Sequence, residues 1–321
     1  MSARWLVTGA AGFIGSHVAE ALVARGDEVI GVDNFDPFYS RAIKEQNLAA
    51  LDGRSGFRLA ELDCARTDLP FDGVAGVVHL AAKAGVRPSL EDPASYVRAN
   101  VLATVRVLDG ARRAGVERVV LASSSSVYGD ATPPPFAESA PAVTPVSPYA
   151  ATKRAGELMA ETFAHLYGTR IANLRYFTVY GPRQRPDLAI HKFTAAIGRG
   201  EPIRMFGDGT TERDYTFISD VVDGTLAALD WTGRAAPGDV RAFNLGGGER
   251  VRLDRLIGLI GAALKREPRV EPAPLQAGDV SRTAADLTRS GAELGYRPRV
   301  GIEEGIRRFV SWYEGAYGSK S

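Results

Sequence analysis

Apolar residues occur in two alternating textures along the first half of the chain. Short β-branched runs, such as Trp5-Leu-Val, Val29-Ile and Arg118-Val-Val-Leu-Ala, predict strands over 4–8, 28–33, 57–61, 75–79, 117–123 and 170–174. Between them, apolar residues recur at helical spacing and predict helices over 12–25, 94–114 and 149–167. Strands alternating with helices build right-handed βαβ units, so the fold class is α/β with a doubly wound parallel sheet. The second half is less regular. Pro- and Gly-rich breaks near 131–148, 181–187, 200–211, 233–239 and 267–279 predict a smaller, loop-rich C-terminal domain.

Composition narrows the choice of partners. The 321 residues carry 39 Lys and Arg against 38 Asp and Glu, a net charge of +1 with no basic block. Neither nucleic acid nor an anionic membrane is the expected partner. One cysteine, Cys64, excludes an internal disulfide and fits a reducing cytoplasm. No Cys/His cluster suggests a metal, and no apolar run approaches the length of a membrane span. With a first strand beginning by Arg4, no signal peptide is expected, and the protein reads as soluble and cytoplasmic.

The first strand ends at Thr8 and runs into Gly9, Gly12 and Gly15, followed by an amphipathic helix. That is the cradle of a dinucleotide pyrophosphate: Gly9 for the turn, Gly12 for close backbone approach, Gly15 for helix–sheet contact. The second strand ends on Asp33, whose carboxylate can accept both adenosine ribose hydroxyls and would repel a 2′-phosphate, favouring NAD over NADP. Further on, Ser147-Pro148 precedes Tyr149 and Lys153. Residues four apart share a helix face, so the spacing predicts that the Lys153 ammonium lowers the Tyr149 pKa and makes the phenol a base that takes a hydroxyl proton while hydride leaves the same carbon. Ser124, at a strand end, can hydrogen-bond the developing carbonyl oxygen.

These motifs, with His79-Leu-Ala-Ala-Lys83, Ser123-Ser-Ser-Ser-Val-Tyr-Gly129, Arg175-Tyr-Phe-Thr-Val-Tyr-Gly-Pro182, Arg213-Asp-Tyr-Thr-Phe-Ile-Ser-Asp220 and Phe243-Asn-Leu-Gly246, resemble the extended short-chain dehydrogenase/reductases of the nucleotide-sugar epimerase type. The resemblance runs from about residue 4 to 313. It implies a Rossmann-like NAD domain of residues 1–178 plus about 214–247, and a smaller α/β substrate domain of about 179–213 plus 248–321. It implies tightly held, recycled NAD touched by Gly9, Gly12, Phe13, Ile14, Gly15, Asp33, Asn34, Leu80, Ala81, Ala82, Lys83, Tyr149 and Lys153, with Asp63 and Cys64 near adenine, Asn100 supporting the pyrophosphate region and Tyr176 against the nicotinamide. Relatives also pair the helices of 94–114 and 149–167 in a four-helix dimer interface, so a homodimer is expected.

The resemblance further implies oxidation of a UDP-sugar at C4, turnover of the 4-keto sugar and reduction from the opposite face. Related 4,6-dehydratases carry Asp-Glu where this chain has Ser125 and Ser126, and related decarboxylases carry Glu at position 126, which argues against both reactions. Thr178 replaces the asparagine of UDP-glucose enzymes, and 181–193, 81–90 and 275–280 resemble UDP-glucuronate 4-epimerases. A uronate needs a cationic pocket for its carboxylate. Arg185 is the candidate, helped by Thr178, Ser125 and Ser126. Arg87, Lys192, Phe193, Phe206, Arg213, Gln276 and Asp279 are the expected contacts for the nucleotide. The alternatives are epimerisation of UDP-glucose or a UDP-N-acetylhexosamine, decarboxylation of UDP-glucuronate, and a non-catalytic NAD-binding regulatory role.

Overall fold

The structure is a computed structural model that describes residues 2–274 and 282–318. The first half runs β1 (Arg4–Thr8), α1 (Phe13–Ala24), β2 (Glu28–Asp33), α2 (Arg41–Leu48), β3 (Phe57–Glu61), β4 (Gly76–His79), α3 (Val86–Glu91), α4 (Pro93–Tyr96), α5 (Ala103–Arg113), β5 (Arg118–Ser124), α6 (Pro148–Tyr167) and β6 (Arg170–Tyr176). The second half adds β7 (Thr178–Tyr180), α7 (Ala189–Arg199), β8 (Ile203–Phe206), β9 (Glu212–Phe217), α8 (Ile218–Arg234), β10 (Val240–Leu245), β11 (Arg250–Arg252), α9 (Leu253–Leu264), β12 (Val270–Ala273) and α10 (Ile302–Tyr317).

Seven strands form one parallel sheet in the order β10-β6-β5-β4-β1-β2-β3. Its central strands are apolar on both faces, with Leu6, Val7, Val77, Val78, Val119 and Val120 all out of solvent, because helices cover both sides. On one face α1 and α8 pack together; on the other, α5 and α6. Strand order reverses between β1 and β4. The loops after these two strands therefore diverge and leave a crevice at their carboxyl ends, the place where a ligand fits an open α/β sheet. A three-stranded sheet (β11-β9-β7) and a β12-β8 pair, with α7, α9 and α10, lie beyond that crevice. The chain reaches them after β6 and returns through α8 and β10, which pairs in parallel with β6.

One predicted helix is not a single helix. The stretch 94–114 begins as α4, passes through a π-helical segment Val97–Leu102 and resumes as α5. Asn100 lies inside that segment and is buried. Among the described residues no helix is long and apolar enough to cross a membrane, and no cluster of His, Cys, Asp or Glu could hold a metal.

Candidate active site

The glycine turn forms because two backbone conditions, at Gly9 and Gly15, meet within seven residues. Gly9 has φ +71°, and a Cβ there would lie 2.8 Å from the Ala81 backbone nitrogen. A Cβ on Gly15 would meet the Gly9 carbonyl oxygen at 2.0 Å, so only glycine lets α1 rest on the turn. Gly12 differs: a Cβ would find only the Gly9 oxygen, at 3.1 Å. The fold constrains this position less than Gly9 or Gly15, and its open side leaves space for an outside group. At this point α1 starts with no side-chain cap, so the first-turn N–H groups, Phe13 and Ile14 among them, have no side-chain acceptor. An uncapped helix start beside an open glycine fits a pyrophosphate.

The surrounding residues complete the cradle. Asp33 accepts the Ala11 and Phe35 N–H groups at 3.1 and 2.8 Å, and Lys44 Nζ lies 3.5 Å from the same carboxylate. Lys44 was not signalled by the sequence motifs; its helix α2 carries it back to the end of β2. Asn34 is exposed and accepts from the Asp36 N–H. Leu80, Ala81 and Ala82 follow β4, and Thr8 Oγ1 accepts the Ala81 N–H at 3.2 Å. Asn100 fixes the next residue on both sides: it accepts the Lys83 N–H at 2.8 Å and donates to the Lys83 carbonyl at 2.9 Å. It also donates to Thr152 Oγ1, tying the phosphate-side loop to the helix that bears Tyr149. Asp63 and Cys64 follow β3. Burial pushes the Cys64 thiol up to about 12, so it is an unreactive wall.

Tyr176 is the residue expected against the nicotinamide. It ends β6 with its hydroxyl bonded to Thr225 Oγ1 of α8 at 3.0 Å, inside the core. Its hydroxyl is thus committed, and only its ring and backbone can border a nicotinamide.

Tyr149, Lys153 and Ser124 converge at the carboxyl end of β5. Ser147 caps α6 by accepting the Ala150 N–H, and Pro148 occupies the first helical position, so Tyr149 lies in the first turn. Lys153, one turn later, donates Nζ to the Ala122 carbonyl at 2.7 Å. Ser124 lies beside the Tyr149 phenol and favours its ionised form. The predicted lowering of the Tyr149 pKa by Lys153 is corrected here. Burial raises the Tyr149 pKa, and the opposing influences are Ser124 and the charge of Arg185. The Lys153 ammonium is drawn to Ala122 instead, and burial pulls its own pKa down to about 8 against the pull of Glu157. With its pKa raised, the phenol stays protonated at neutral pH until further positive charge stabilises the phenolate.

Three residues around this centre escaped the sequence reading. Tyr96 meets Tyr149 edge to face at 6.3 Å and donates to the Ala84 carbonyl. Glu157, four residues after Lys153, is fully buried and receives Arg175 on both oxygens at 2.9 Å and Ser123 Oγ at 2.5 Å. Its helical spacing from Lys153 was a signal, but the partner on β6 is visible only in three dimensions. Asp187 receives the fork of Arg185, through Nε at 2.9 Å and Nη2 at 2.6 Å.

The other expected sugar and nucleotide contacts come from α3, the turn after β5, β7, the loop before α7, α7, β8 and β9. Arg185 reaches the Ala84 carbonyl at 3.5 Å and lies over the Phe38 ring, within range of Tyr149. Thr178 begins β7 and is half-buried; Ser125 and Ser126 form the 3₁₀ turn after β5. Arg87 lies over the Phe206 ring at 5.0 Å, which brings α3 against the end of β8. On α7, Phe193 packs against the core and Lys192 is exposed. Arg213 is on β9 and donates to the Glu212 carbonyl. Gln276 and Asp279 fall outside the described residues.

A dinucleotide cradle, a Tyr–Lys–Ser centre and a second crevice wall define a nucleotide-dependent oxidoreductase-type site. The profile of the NAD dependent epimerase/dehydratase family matches residues 5–246, and the chain belongs to that family. Among curated relatives, the UDP-glucuronate 4-epimerase of Thermodesulfobacterium geofontis is 40% identical over 314 residues, covering 96% of this chain and 95% of that one. Among solved structures, the UDP-glucuronic acid 4-epimerase of Bacillus cereus, in complex with UDP-glucuronic acid and NAD, superposes with a TM-score of 0.92 at 33% identity, covering 98% of this chain and all of that one. The UDP-glucose 4-epimerase of Thermotoga maritima with UDP-glucose gives 0.86 at 31% identity, covering 98% and 99%.

Proposed function

We propose that this chain is an NAD-dependent UDP-sugar 4-epimerase whose substrate is UDP-glucuronate and whose product is UDP-galacturonate. The observation that carries the choice of sugar is Arg185, a largely buried guanidinium set beside Tyr149 and the Phe38 ring, with Asp187 on its Nε–Nη2 edge. Asp187 takes one edge of that guanidinium, and the donors left over suit a C6 carboxylate, an acceptor that a neutral hexose lacks. The T. geofontis and B. cereus relatives, named for UDP-glucuronate, support the same reading.

The residues divide the work. Gly12 and the start of α1 take the pyrophosphate, and Asp33 with Lys44 the adenosine ribose. Bound NAD supplies a hydride acceptor and donor at C4, together with positive charge in its oxidised form. Tyr149 exchanges a proton with the C4 oxygen, Ser124 hydrogen-bonds the same oxygen, and Lys153 keeps a positive charge close by. Arg185, with Thr178, Ser125 and Ser126, holds the carboxylate. The 4-keto sugar is a β-keto acid, which loses carbon dioxide when its carboxylate bond stands perpendicular to the carbonyl plane; this pocket keeps the bond out of that alignment.

Two further readings belong with this one. The exposed Val97, Leu102 and Leu158 lie on adjoining helical elements and offer an apolar face to a second copy, giving a homodimer. The protein works in the cytoplasm, where a buried, unpaired cysteine stays reduced. Light scattering in line with chromatography tests the first, and cell fractionation the second.

The deciding assay incubates the purified protein, without added NAD, with UDP-glucuronate, UDP-glucose and UDP-N-acetylglucosamine separately. UDP-galacturonate from the first alone is the expected product. UDP-galactose or the N-acetyl epimer would refute the role of Arg185, and a UDP-pentose would make the chain a decarboxylase. Arg185→Ala should raise the KM for the uronate by at least about tenfold while leaving the Ki of UDP-glucose unchanged.

A further inference from the structure

Residues 185–188 form a tight turn, closed by the Leu188 N–H donating to the Arg185 carbonyl at 3.2 Å. Pro186 pre-sets the backbone at the second position of that turn, and Asp187 follows at the third. The turn folds Asp187 back under the guanidinium two residues before it. The loop leading in is anchored as well: Arg183 adopts a left-handed backbone, φ 65°, and binds Glu20 of α1 at 2.7 Å.

The result is a fork with a defined free edge. Nε and Nη2 of Arg185 donate to the two oxygens of Asp187, and Nη2 also faces the Ala84 carbonyl. Among the described residues, nothing takes the two protons on Nη1. The edge of guanidinium best suited to clasp a carboxylate side-on is therefore already filled.

We propose that Asp187 is a positioning and specificity-setting residue: it presents only Nη1 of Arg185 to the substrate carboxylate and tempers the attraction with its own negative charge. This rests on the uronate reading. Epimerisation requires the 4-keto sugar to show both faces of C4 to one hydride donor, so the ring has to turn while the nucleotide stays in place. A two-point clasp on the carboxylate would resist that turn. A single nitrogen opposed by a nearby carboxylate permits it and still distinguishes a uronate from a neutral hexose.

The test uses the full-length NAD-bound enzyme, wild type, Asp187→Asn and Asp187→Glu, with UDP-glucuronate as substrate and UDP-glucose as competitor. For Asp187→Asn, KM and kcat for the uronate should each fall about fivefold, binding becoming tighter and turnover slower, with the Ki of UDP-glucose unchanged. Asp187→Glu keeps the charge and should restore KM toward wild type. If Asp187→Asn leaves both constants where they were, raises KM, or moves the Ki of UDP-glucose in step, Asp187 is only a clasp for its loop and the proposal falls. Failure of the wild type to epimerise UDP-glucuronate would overturn the uronate reading itself, and needs no variant to be seen.

Discussion

Replacing Glu157 should expose how much of the catalytic frame depends on one buried charge. Its carboxylate receives Arg175 twice at 2.9 Å, Ser123 at 2.5 Å and Arg154 at 2.9 Å, with the Glu157 and Arg175 side chains only 1% and 5% exposed. Glu157→Leu would leave Arg175 a buried cation with no counter-ion, while Arg154, more exposed, can still use Glu161. Removing one partner of a buried pair costs about 3–5 kcal/mol, whereas replacing both by apolar residues of similar volume is often close to neutral. Urea unfolding at pH 7 should therefore show Glu157→Leu destabilised by about 3–5 kcal/mol, and the double variant with Arg175→Met recovering at least about 2 kcal/mol of that. The pH dependence has a definite sign. Burial pushes the Glu157 pKa up, but Arg175, Ser123 and Arg154 pull it below the usual carboxylate value. A carboxylate depressed in the folded state contributes stability above its unfolded pKa, about 4.5, and loses it as pH falls through the folded value. The gap between wild type and Glu157→Gln should accordingly be full at neutral pH and close in acid. A loss below about 1 kcal/mol for Glu157→Leu, or strict additivity in the double variant, would refute this account of the network.

The two glycines of the turn should separate stability from binding. Gly15→Ala should fold poorly, because its Cβ meets a backbone oxygen at 2.0 Å, whereas Gly12→Ala, whose Cβ meets one at 3.1 Å, should be destabilised far less yet carry little NAD when its nucleotide is extracted and quantified. Tyr149→Phe should lower kcat about 10²–10⁴-fold with little change in bound NAD, as read from single-turnover formation of reduced nicotinamide and from extraction. Removing the charge in Glu157→Gln removes a carboxylate that favours the Lys153 ammonium, whose pKa lies at about 8; the alkaline limb of the kcat profile should then move to lower pH, and an unmoved limb would separate Lys153 from that titration.

The centre of the sheet was legible in the sequence because its inner strands are short apolar runs buried on both faces, and a run such as Arg118–Ser124 has few other ways to hide. The glycine turn and the Tyr149–Lys153 spacing were legible for a related reason: each is a local arrangement, complete within one loop or one helical turn. Contacts between distant segments were not. Lys44 reaches Asp33 from the next helix, Arg175 reaches Glu157 from a neighbouring strand, and Thr225 claims the Tyr176 hydroxyl across the core. The Tyr149 pKa was misjudged on the same ground. Helical spacing puts two groups on one face, but the competing acceptor, the Ala122 carbonyl, belongs to the sheet beneath.

The π-helical segment sets a constraint of another kind. At its end the Ala103 N–H reaches back five residues to the Arg98 carbonyl, so 97–102 accommodate one residue more than an α-helix of the same rise. Each residue turns a helix by about 100°. Shortening this stretch by a single position would heal the hydrogen bonding and at the same time swing Asn100 off the Lys83 loop or roll the buried side of α5, with Val107, Leu108 and Ala111, toward water. The locally better helix would be the worse protein. Insertions and deletions here should be tolerated far less than changes of side chain, making the spacing between Tyr96 and Ala103 a fixed length in the architecture of the site.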